Sequence, residues 1–330
     1  MTTPHGLRRR CLCLLALGAL VPGTAALAQA FPSKTVQIIV PFPAGGATDT
    51  VARLLAEKMA KPLGQSIIVE NKGGAAGILG TDMVAKAAPD GHVVSVGLST
   101  SLLINQFLFK KLPYHPQRDL VLVSQIAVAP IVLVVHPSVP ANNAADLLKY
   151  IRANKGKLSY GSWGIGSAAH LSGAELSQMQ DGDMSHVPYK GEAPMLQDLL
   201  GGQIKLSFAS ALGAKPFIEA GKLKVIGVTG EKRMATLPKV PTLLEQGLTD
   251  DVFRVIGWIA MAAPAATPKP VVQRLADEVK AAVAIPEVRE RIVAMGFDPV
   301  ARGPAEFAAI YKQDFPIWER LVKQSGATLD

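Results

Sequence analysis

The sequence predicts an α/β protein folded in two lobes, on three observations. Strand-like and helix-like segments alternate along most of the chain, which argues for parallel sheets covered by helices on both faces. About 300 residues remain once an N-terminal targeting segment is set aside, more than one hydrophobic core comfortably serves. Two nearly unbroken apolar runs, Leu120 to Val135 and Val252 to Ala262, bracket a self-contained α/β series and read as the connections of an inserted lobe. The expected division is 1–30, a signal segment; 31–128 with 257–330, lobe 1; and 129–256, lobe 2. A cleft would lie between the lobes, with a hinge at the two crossing strands.

The first thirty residues read as a secretory signal. Arg8, Arg9 and Arg10 form a basic start, Leu12 to Val21 a short apolar run, and Ala28-Gln29-Ala30 a small-x-small site, so cleavage is expected between Ala30 and Phe31. The general secretory route is the expected one, although Arg8-Arg9-Arg10-Cys11-Leu12 loosely resembles a twin-arginine signal. The apolar run is too short to span a bilayer, and no later stretch is apolar for the ~20 residues that a membrane helix needs. Both cysteines, Cys11 and Cys13, lie in this segment, which leaves the mature chain without a disulfide, a cysteine nucleophile or a thiolate metal site. Neither is preceded by the small residues of a lipoprotein signal. The mature chain is expected in the periplasm, unanchored and monomeric.

The elements follow in order. Val36 to Val40 reads as a strand, Pro41 to Gly46 as a loop, and the next segment as an amphipathic helix with Val51, Leu54, Leu55 and Met59 on one face, ended by Gly64. A strand at Ser66 to Glu70, a glycine-rich stretch from Gly73 to Gly80, a helix near Met83 to Ala88 and a strand at Val93 to Leu98 continue the alternation. In the inserted part, helices are expected near Ala144 to Ala153, Ala168 to Met179 and Pro194 to Leu200. Strands are expected at Lys157 to Tyr160, Val187 to Tyr189, Ile204 to Phe208 and Val225 to Thr229. After the second apolar run only helices are expected, Pro268 to Ala284, Pro286 to Met295 and Pro304 to Gln324, each opened by a proline suited to a first turn.

One design occurs twice. A strand ends at Pro41, a loop with Phe42, Ala44, Gly45 and Gly46 follows, and Thr48 and Asp49 open a helix. A second strand ends at Tyr160, the loop Gly161-Ser162-Trp163-Gly164-Ile165-Gly166 follows, and Ser167 is placed to cap the next helix. Glycines let the backbone approach a ligand and turn N–H groups inward, while a helix start adds unpaired donors and positive dipole. Each loop is a candidate anion cradle, and two on opposing lobes would clamp a small carboxylate without a buried cation. Either one taken singly is equally an ordinary βα turn. A carboxylate at Asp49 would repel an anion unless it bonds backbone donors, so its expected role is loop scaffolding. Ser99, Thr100 and Ser101 supply hydroxyls at the carboxyl edge of a strand, where open α/β sheets bind ligands, and Tyr189 and Lys190 follow another strand.

Other chemistries find little support. Removing the three signal arginines leaves 31 basic residues against 26 acidic ones, a formal charge of +5. The signs are well mixed and no Lys/Arg block is interleaved with aromatics, which argues against nucleic-acid binding. There is no Gly-x-Ser-x-Gly elbow, phosphate-binding loop or Gly-x-Gly-x-x-Gly, and His92, His115, His136, His170 and His186 have no metal-ligand spacing. Only His170 falls near a proposed cradle. No enzyme activity, metal or cofactor is expected.

The motifs, taken in order, resemble a known family. They are Pro-Phe-Pro-Ala-Gly-Gly-Ala-Thr-Asp at 41–49, Tyr-Gly-Ser-x-Gly-x-Gly-Ser-x-x-His-Leu at 160–171, Val187-Pro188-Tyr189-Lys190-Gly191, Asp198-Leu199-Leu200-Gly201-Gly202-Gln203, Ala220-Gly221-Lys222-Leu223, and Gly257-Trp258 followed by Ala263-Pro264. With the signal segment they are similar to the Bug family, extracytoplasmic receptors of tripartite tricarboxylate transporters. The resemblance implies a type II periplasmic-binding-protein (Venus-flytrap) fold, each lobe a mixed sheet flanked by helices. It implies a carboxylate held by backbone groups near 41–49 and 161–167, and delivery to integral-membrane transporter subunits. A receptor read by a membrane signalling partner, or an exported enzyme, are the alternatives. Two departures concern the ligand: Phe208-Ala209-Ser210 stands where the family often has aspartate after the phenylalanine, and Trp163 where a small polar residue is common. Both hint at a less polar acid, such as an aromatic carboxylate.

Overall fold

The structure is a computed structural model that describes residues 31–329; the signal expected at 1–30 lies outside the described residues. The chain begins with β1 (Val36–Val40), α1 (Ala47–Leu63), β2 (Ile67–Asn71), α2 (Ile78–Ala85), β3 (Val93–Leu98), the short α3 (Asn105–Leu108) and α4 (Pro116–Asp119), and β4 (Leu120–Ala129). It continues through β5 (Ile131–Val135), α5 (Ala144–Ala153), β6 (Ser159–Ser162), α6 (Ala168–Met179), β7 (Ser185–Pro188), α7 (Glu192–Leu200), β8 (Leu206–Ser210), α8 (Ala211–Glu219) and β9 (Lys224–Val228). The short α9 (Asp251–Arg254) then leads to β10 (Gly257–Pro264), α10 (Lys269–Ala284), α11 (Pro286–Ala294), β11 (Asp298–Arg302) and α12 (Pro304–Ser325). The strands form a six-stranded sheet, β11-β4-β10-β3-β1-β2, and a five-stranded sheet, β7-β6-β8-β5-β9. Both are mixed: β10 is antiparallel to β3 and β4, and β5 is antiparallel to β8 and β9.

Alternation along the strands sorts side chains into separate cores, because successive residues point to opposite faces. In β1, Val36, Ile38 and Val40 pack with Leu55 and Met59 of α1 and Leu275 and Val279 of α10, whereas Ile39 joins a core with Leu102, Phe307 and Trp318. In β5, Val132 and Val134 face Met195 and Leu199 of α7, while Leu133 and Val135 face Leu147 of α5 and Leu171 of α6. Both sheets are thus covered on two faces, and strands buried on both faces read as the continuous apolar runs seen in the sequence. Gly64 ends α1 in the left-handed region at φ 68°, its N–H bonded to the Lys61 carbonyl, a conformation that glycine adopts without a Cβ penalty.

Topology fixes which edges meet. β1 and β3 are parallel, β10 is antiparallel to β3 and β4 is antiparallel to β10, so β4 ends at the same edge as β1 and β3. In the other sheet β6, β7 and β8 are parallel and β5 is antiparallel to β8, so β5 begins at the edge where those three end. Only Pro130 separates β4 from β5. The carboxyl edges of β1 and β3 therefore face those of β6, β7 and β8.

Several elements differ from expectation, among them α2, which starts at Ile78, inside the glycine-rich stretch, and ends at Ala85 rather than Ala88. Leu120 to Val135 is not one extended segment: it is two strands in different sheets, parted at Pro130. Helices do not fill the whole C-terminal part, because β11, with sequence Asp-Pro-Val-Ala-Arg, pairs antiparallel with β4. It is a half-exposed edge strand containing a proline, the position where proline is tolerated, and lacks an apolar signature of its own. The unanticipated α8 follows β8 directly, capped by the Ser210 hydroxyl, which accepts from the Gly213 amide. In addition, the run from Val252 opens in the helical turn α9, and the strand proper starts at Gly257.

Two stability predictions follow from burial. Leu55 is fully buried between α1 and the first sheet, and Leu55→Ala should lower stability by about 3 kcal/mol, read as a fall in the urea midpoint. Asp314 on α12 is 8% exposed, and burial, opposed by Arg254, pushes its carboxyl up to about 6. Between the ordinary value of 3.8 and about 6 the folded chain holds a proton there that the unfolded chain has lost, so this group costs stability as pH rises through that window. Asp314→Asn should raise the thermal midpoint at pH 7, with the gain shrinking toward pH 4; no gain at pH 7 would show that the carboxylate is well solvated.

Candidate ligand-binding site

The loop after β1 is shaped by Asp49. Its Oδ2 accepts from the Gly45 amide at 2.9 Å and from Arg53 Nε at 3.0 Å, and its Oδ1 accepts from Asn71 Nδ2 at 3.0 Å. Asn71 Nδ2 also donates to the Phe42 carbonyl at 3.1 Å. Burial pushes the Asp49 carboxyl up, but hydrogen bonds from Arg53, the Gly45 amide and Asn71 outweigh it and hold the group below its ordinary value. Both oxygens are occupied by the protein, so Asp49 scaffolds the loop. Gly45 takes φ 82°, and Ala44, Gly45 and Gly46 are exposed. Gly46 is the N-cap residue of α1 and no side chain caps that helix, which leaves its first amides open to an acceptor. Thr48 is buried behind them.

Neighbouring segments press on this loop. A Cβ at Gly77 would lie 2.9 Å from Ser101 Cβ and 3.1 Å from Phe42 Cζ, and one at Gly80 would lie 2.9 Å from Pro41 Cα. The glycine-rich stretch 73–80 therefore lets three chain segments converge at one sheet edge. Asn105 Nδ2 donates to the Ala76 carbonyl at 3.0 Å and holds the stretch in place. Ser99 is buried, its Oγ accepting from the Trp258 amide at 3.4 Å, and Thr100 is half-buried at the start of a wide helical turn, Thr100–Ile104.

The loop after β6 is held from beneath. Ser162 is buried, and its Oγ lies 2.7 Å from His186 Nε2, 3.0 Å from the Gly164 carbonyl and 3.3 Å from the Gly164 amide. The Gly166 amide donates to His170 Nδ1 at 3.1 Å. Gly164 and Gly166 take φ 144° and 73°, and Ser167 caps α6 by accepting from the His170 amide. A Cβ at Gly166 would stand 2.5 Å from Leu108 Cδ1, so this loop touches a residue that follows β3, across the facing edges. Trp163 is half-buried against two apolar cores.

The other predicted residues are placed differently. The Tyr189 hydroxyl donates to Asp198 Oδ2 at 2.7 Å, and burial together with that bond pushes it up to about 12. Its amide donates to the Ser162 carbonyl at 2.9 Å, tying the loops after β6 and β7 together. Ala209 is fully buried under α7 and α8, so its side chain is not in the cleft. The adjacent Ser210, which sequence reasoning passed over, donates its hydroxyl to Glu192 Oε2 at 2.8 Å, and Glu192 Oε1 accepts the Ser210 amide. Glu192 thus fills the α8 N-terminus with a carboxylate of the chain itself.

The arrangement offers amides and hydroxyls rather than cations to an incoming anion, and no group of three or more His, Cys, Asp or Glu among the described residues could hold a metal. No helix among them is long and apolar enough to cross a membrane. A cavity of about 520 Å³ opens on the other side of the strand crossings, near Gln125, Pro130, Thr229, Ile256 and Asp314. None of the loop residues lines it, so it is separate from the two loops.

Comparison with known proteins gives a consistent identity. Residues 51–327 match the tripartite tricarboxylate transporter family receptor. BugT of Bordetella pertussis (strain Tohama I) is 33% identical over 304 residues, covering 92% of this chain and 92% of that one. The structure of Rpa4515 from R. palustris with adipate has a TM-score of 0.77 at 32% identity, covering 91% of this chain and 100% of that one. MatC (Rpa3494) from Rhodopseudomonas palustris with bound malate has a TM-score of 0.72 at 35% identity, covering 88% and 100%. This chain belongs to the tripartite tricarboxylate transporter receptor family, the group its motifs resemble, and is a solute-binding receptor of two-lobed α/β fold rather than an enzyme.

Proposed function

We propose that this chain is a periplasmic receptor that captures a small carboxylate between the 41–49 and 162–167 loops and delivers it to the membrane subunits of a tripartite tricarboxylate transporter. The observation that carries this reading is the uncapped start of α1 beside the exposed Ala44, Gly45 and Gly46, with the first-turn carboxylate, Asp49, fully engaged. An anion there meets backbone donors and a positive helix end. The 162–167 loop on the facing edge supplies a second, glycine-shaped set. Adipate and malate, bound by relatives of similar fold, have the chemistry this geometry favours: a short acid whose ends accept hydrogen bonds. The contributing residues are Phe42, Ala44, Gly45, Gly46 and Thr48 on one side, Ser99 and Thr100 beside them, and Ser162, Trp163, Gly164, Gly166 and Ser167 opposite. The lobes are residues 31–128 with 257–330, and 129–256, and closure brings them together on the acid. The signal at 1–30 accounts for export.

Thermal unfolding of the protein with citrate, succinate, malate, adipate, aspartate, glutamate, nicotinate and terephthalate tests the reading. A true ligand at about 100 times its Kd adds about 2.7 kcal/mol, so one class of acid should raise the midpoint in a concentration-dependent way; no shift with any of the eight would overturn carboxylate capture. Asp49→Ala strands the Gly45 amide and frees Arg53. It should cost about 2 kcal/mol of stability and weaken binding of the shifting acid about tenfold or more in calorimetric titration, although Asp49 does not touch the acid.

A further inference from the structure

Beneath the 162–167 loop lies a stack of three rings that no binding role has yet claimed. Tyr160 and His186 are register partners on the parallel strands β6 and β7, so their side chains share a face, with ring centroids 5.0 Å apart and nearly parallel. His170, in the first turn of α6, lies over His186 at 3.8 Å and 14°. From this stack two nitrogens reach the loop: His186 Nε2 meets Ser162 Oγ at 2.7 Å, and His170 Nδ1 accepts the Gly166 amide at 3.1 Å.

The proton inventory is restrictive. His170 Nδ1 accepts an N–H, so it carries no proton, and its hydrogen is on Nε2. Ser162 has one hydroxyl proton and three neighbours: His186 Nε2, the Gly164 carbonyl and the Gly164 amide. Every contact is satisfied when the hydroxyl donates to the Gly164 carbonyl and accepts from the Gly164 amide and from His186 Nε2–H. His170 is then neutral, His186 donates from Nε2, and each imidazole fixes one glycine of the loop.

We propose that His170 and His186 are positioning residues for ligand capture: stacked on one another, they hold Ser162, Gly164 and Gly166 in the shape that presents the loop amides and the α6 start to the opposing edge, a role that presupposes that this loop binds the acid. The environment supports the neutral state. Burial pushes each imidazole down to about 4, and for His186 the second imidazole adds to it. The titratable groups facing the pair are each other and Tyr160, itself pushed up by burial; Glu175 on the same helix lies in the field of Arg320, Asp250 and Asp251. Protonating His170 at Nδ1 would set two donors against each other at Gly166. The unfolded chain takes up these protons near pH 6.5 and the folded chain near pH 4, so stability falls as pH drops through that interval.

Two substitutions separate positioning from packing. His170→Asn keeps an acceptor near the Nδ1 position, whereas His170→Phe keeps a ring and loses the acceptor. The readouts are the Gly166 amide resonance and its hydrogen exchange from pH 7 to pH 4 without ligand, and the Kd values for adipate and malate at pH 7. In the wild type the Gly166 resonance should move with the His170 titration as pH falls below about 5. In His170→Asn it should stay protected and stop titrating, and in His170→Phe it should lose protection. The Kd of whichever acid binds should rise about tenfold in His170→Phe and by less than threefold in His170→Asn, as for one lost hydrogen bond. A Gly166 amide as protected in His170→Phe as in the wild type, or wild-type Kd values in that variant, would falsify the proposal. If the wild type binds neither acid, capture of these two carboxylates is excluded, while the amide readout still decides whether His170 sets the loop.

Discussion

Between Ala129 and Ile131 the chain leaves one sheet and enters the other through a single residue, Pro130. So short a connection leaves almost no freedom in how the two carboxyl edges meet. The crossing is tied down where it occurs: the Ile131 amide donates to Thr229 Oγ1 at 2.9 Å and the Thr229 amide donates to the Ile131 carbonyl at 2.9 Å. The return passage is equally local, with Gly257 at the start of β10 registered against Ala129. Because both passages occur at the edges where β1, β3, β6 and β8 end or begin, the loops that follow these strands are brought face to face by topology. The rest of the site elaborates that constraint.

What the loops present follows from how their own charges are spent. Asp49, in the first turn of α1, and Glu192, which reaches the start of α8 from the start of α7, both lie where a carboxylate is favoured by the helix dipole. Asp49 turns its oxygens to Gly45, Arg53 and Asn71 and leaves the α1 amides open; Glu192 instead accepts from Ser210 and covers the α8 start. Of two similar helix beginnings, one is thus left open and the other is satisfied internally. Holding an acid by amides rather than by a buried cation avoids the cost of desolvating a charged side chain in the empty receptor. It also makes binding depend on backbone shape, which is why the glycines and their supports matter more than any single polar side chain.

The sequence made the repeated strand-loop-helix design legible because its signals are local: apolar alternation in Val36 to Val40, glycines at 45 and 46, and a serine just ahead of α6. The Ser167 cap and the Gly45 and Arg53 bonds of Asp49 involve partners within four residues, whereas its bond from Asn71, 22 residues on, was not legible. What escaped the sequence depends on partners far along the chain. The Ser162 and His186 pair is separated by 24 residues and the Ser210 and Glu192 pair by 18, and neither spacing follows from helix or strand periodicity. β11 escaped for a related reason, since Asp-Pro-Val-Ala-Arg becomes a strand only because the exposed edge of β4 supplies its hydrogen bonds. Tyr189 shows the same limit at a single residue: a strand-end tyrosine reads as a ligand group until Asp198, nine positions on, is seen to take its hydroxyl.

The C-terminal helix limits how the two halves can move. The first part of α12 is fixed to the six-stranded sheet: Phe307 meets Trp258 of β10 edge-on at 5.0 Å, and the Tyr311 hydroxyl donates to the Leu102 carbonyl at 3.0 Å, both in buried surroundings. Its last turns make polar contacts with the segment between the strand crossings, Arg320 with Asp251 at 3.0 Å and the Gln324 carbonyl with Gln178 at 3.0 Å. Pro316 stands between the two parts, where a missing N–H loosens the helix ladder. Exposed ion pairs contribute at most about 1 kcal/mol, whereas the aromatic packing is worth several times that. Trp318, Leu321 and Val322, in the second part of α12, are buried in the same apolar core as Leu171 and Leu176 of α6 and Val252 and Phe253 of α9, so this packing, more than the ion pairs, joins the helix to the segment between the strand crossings.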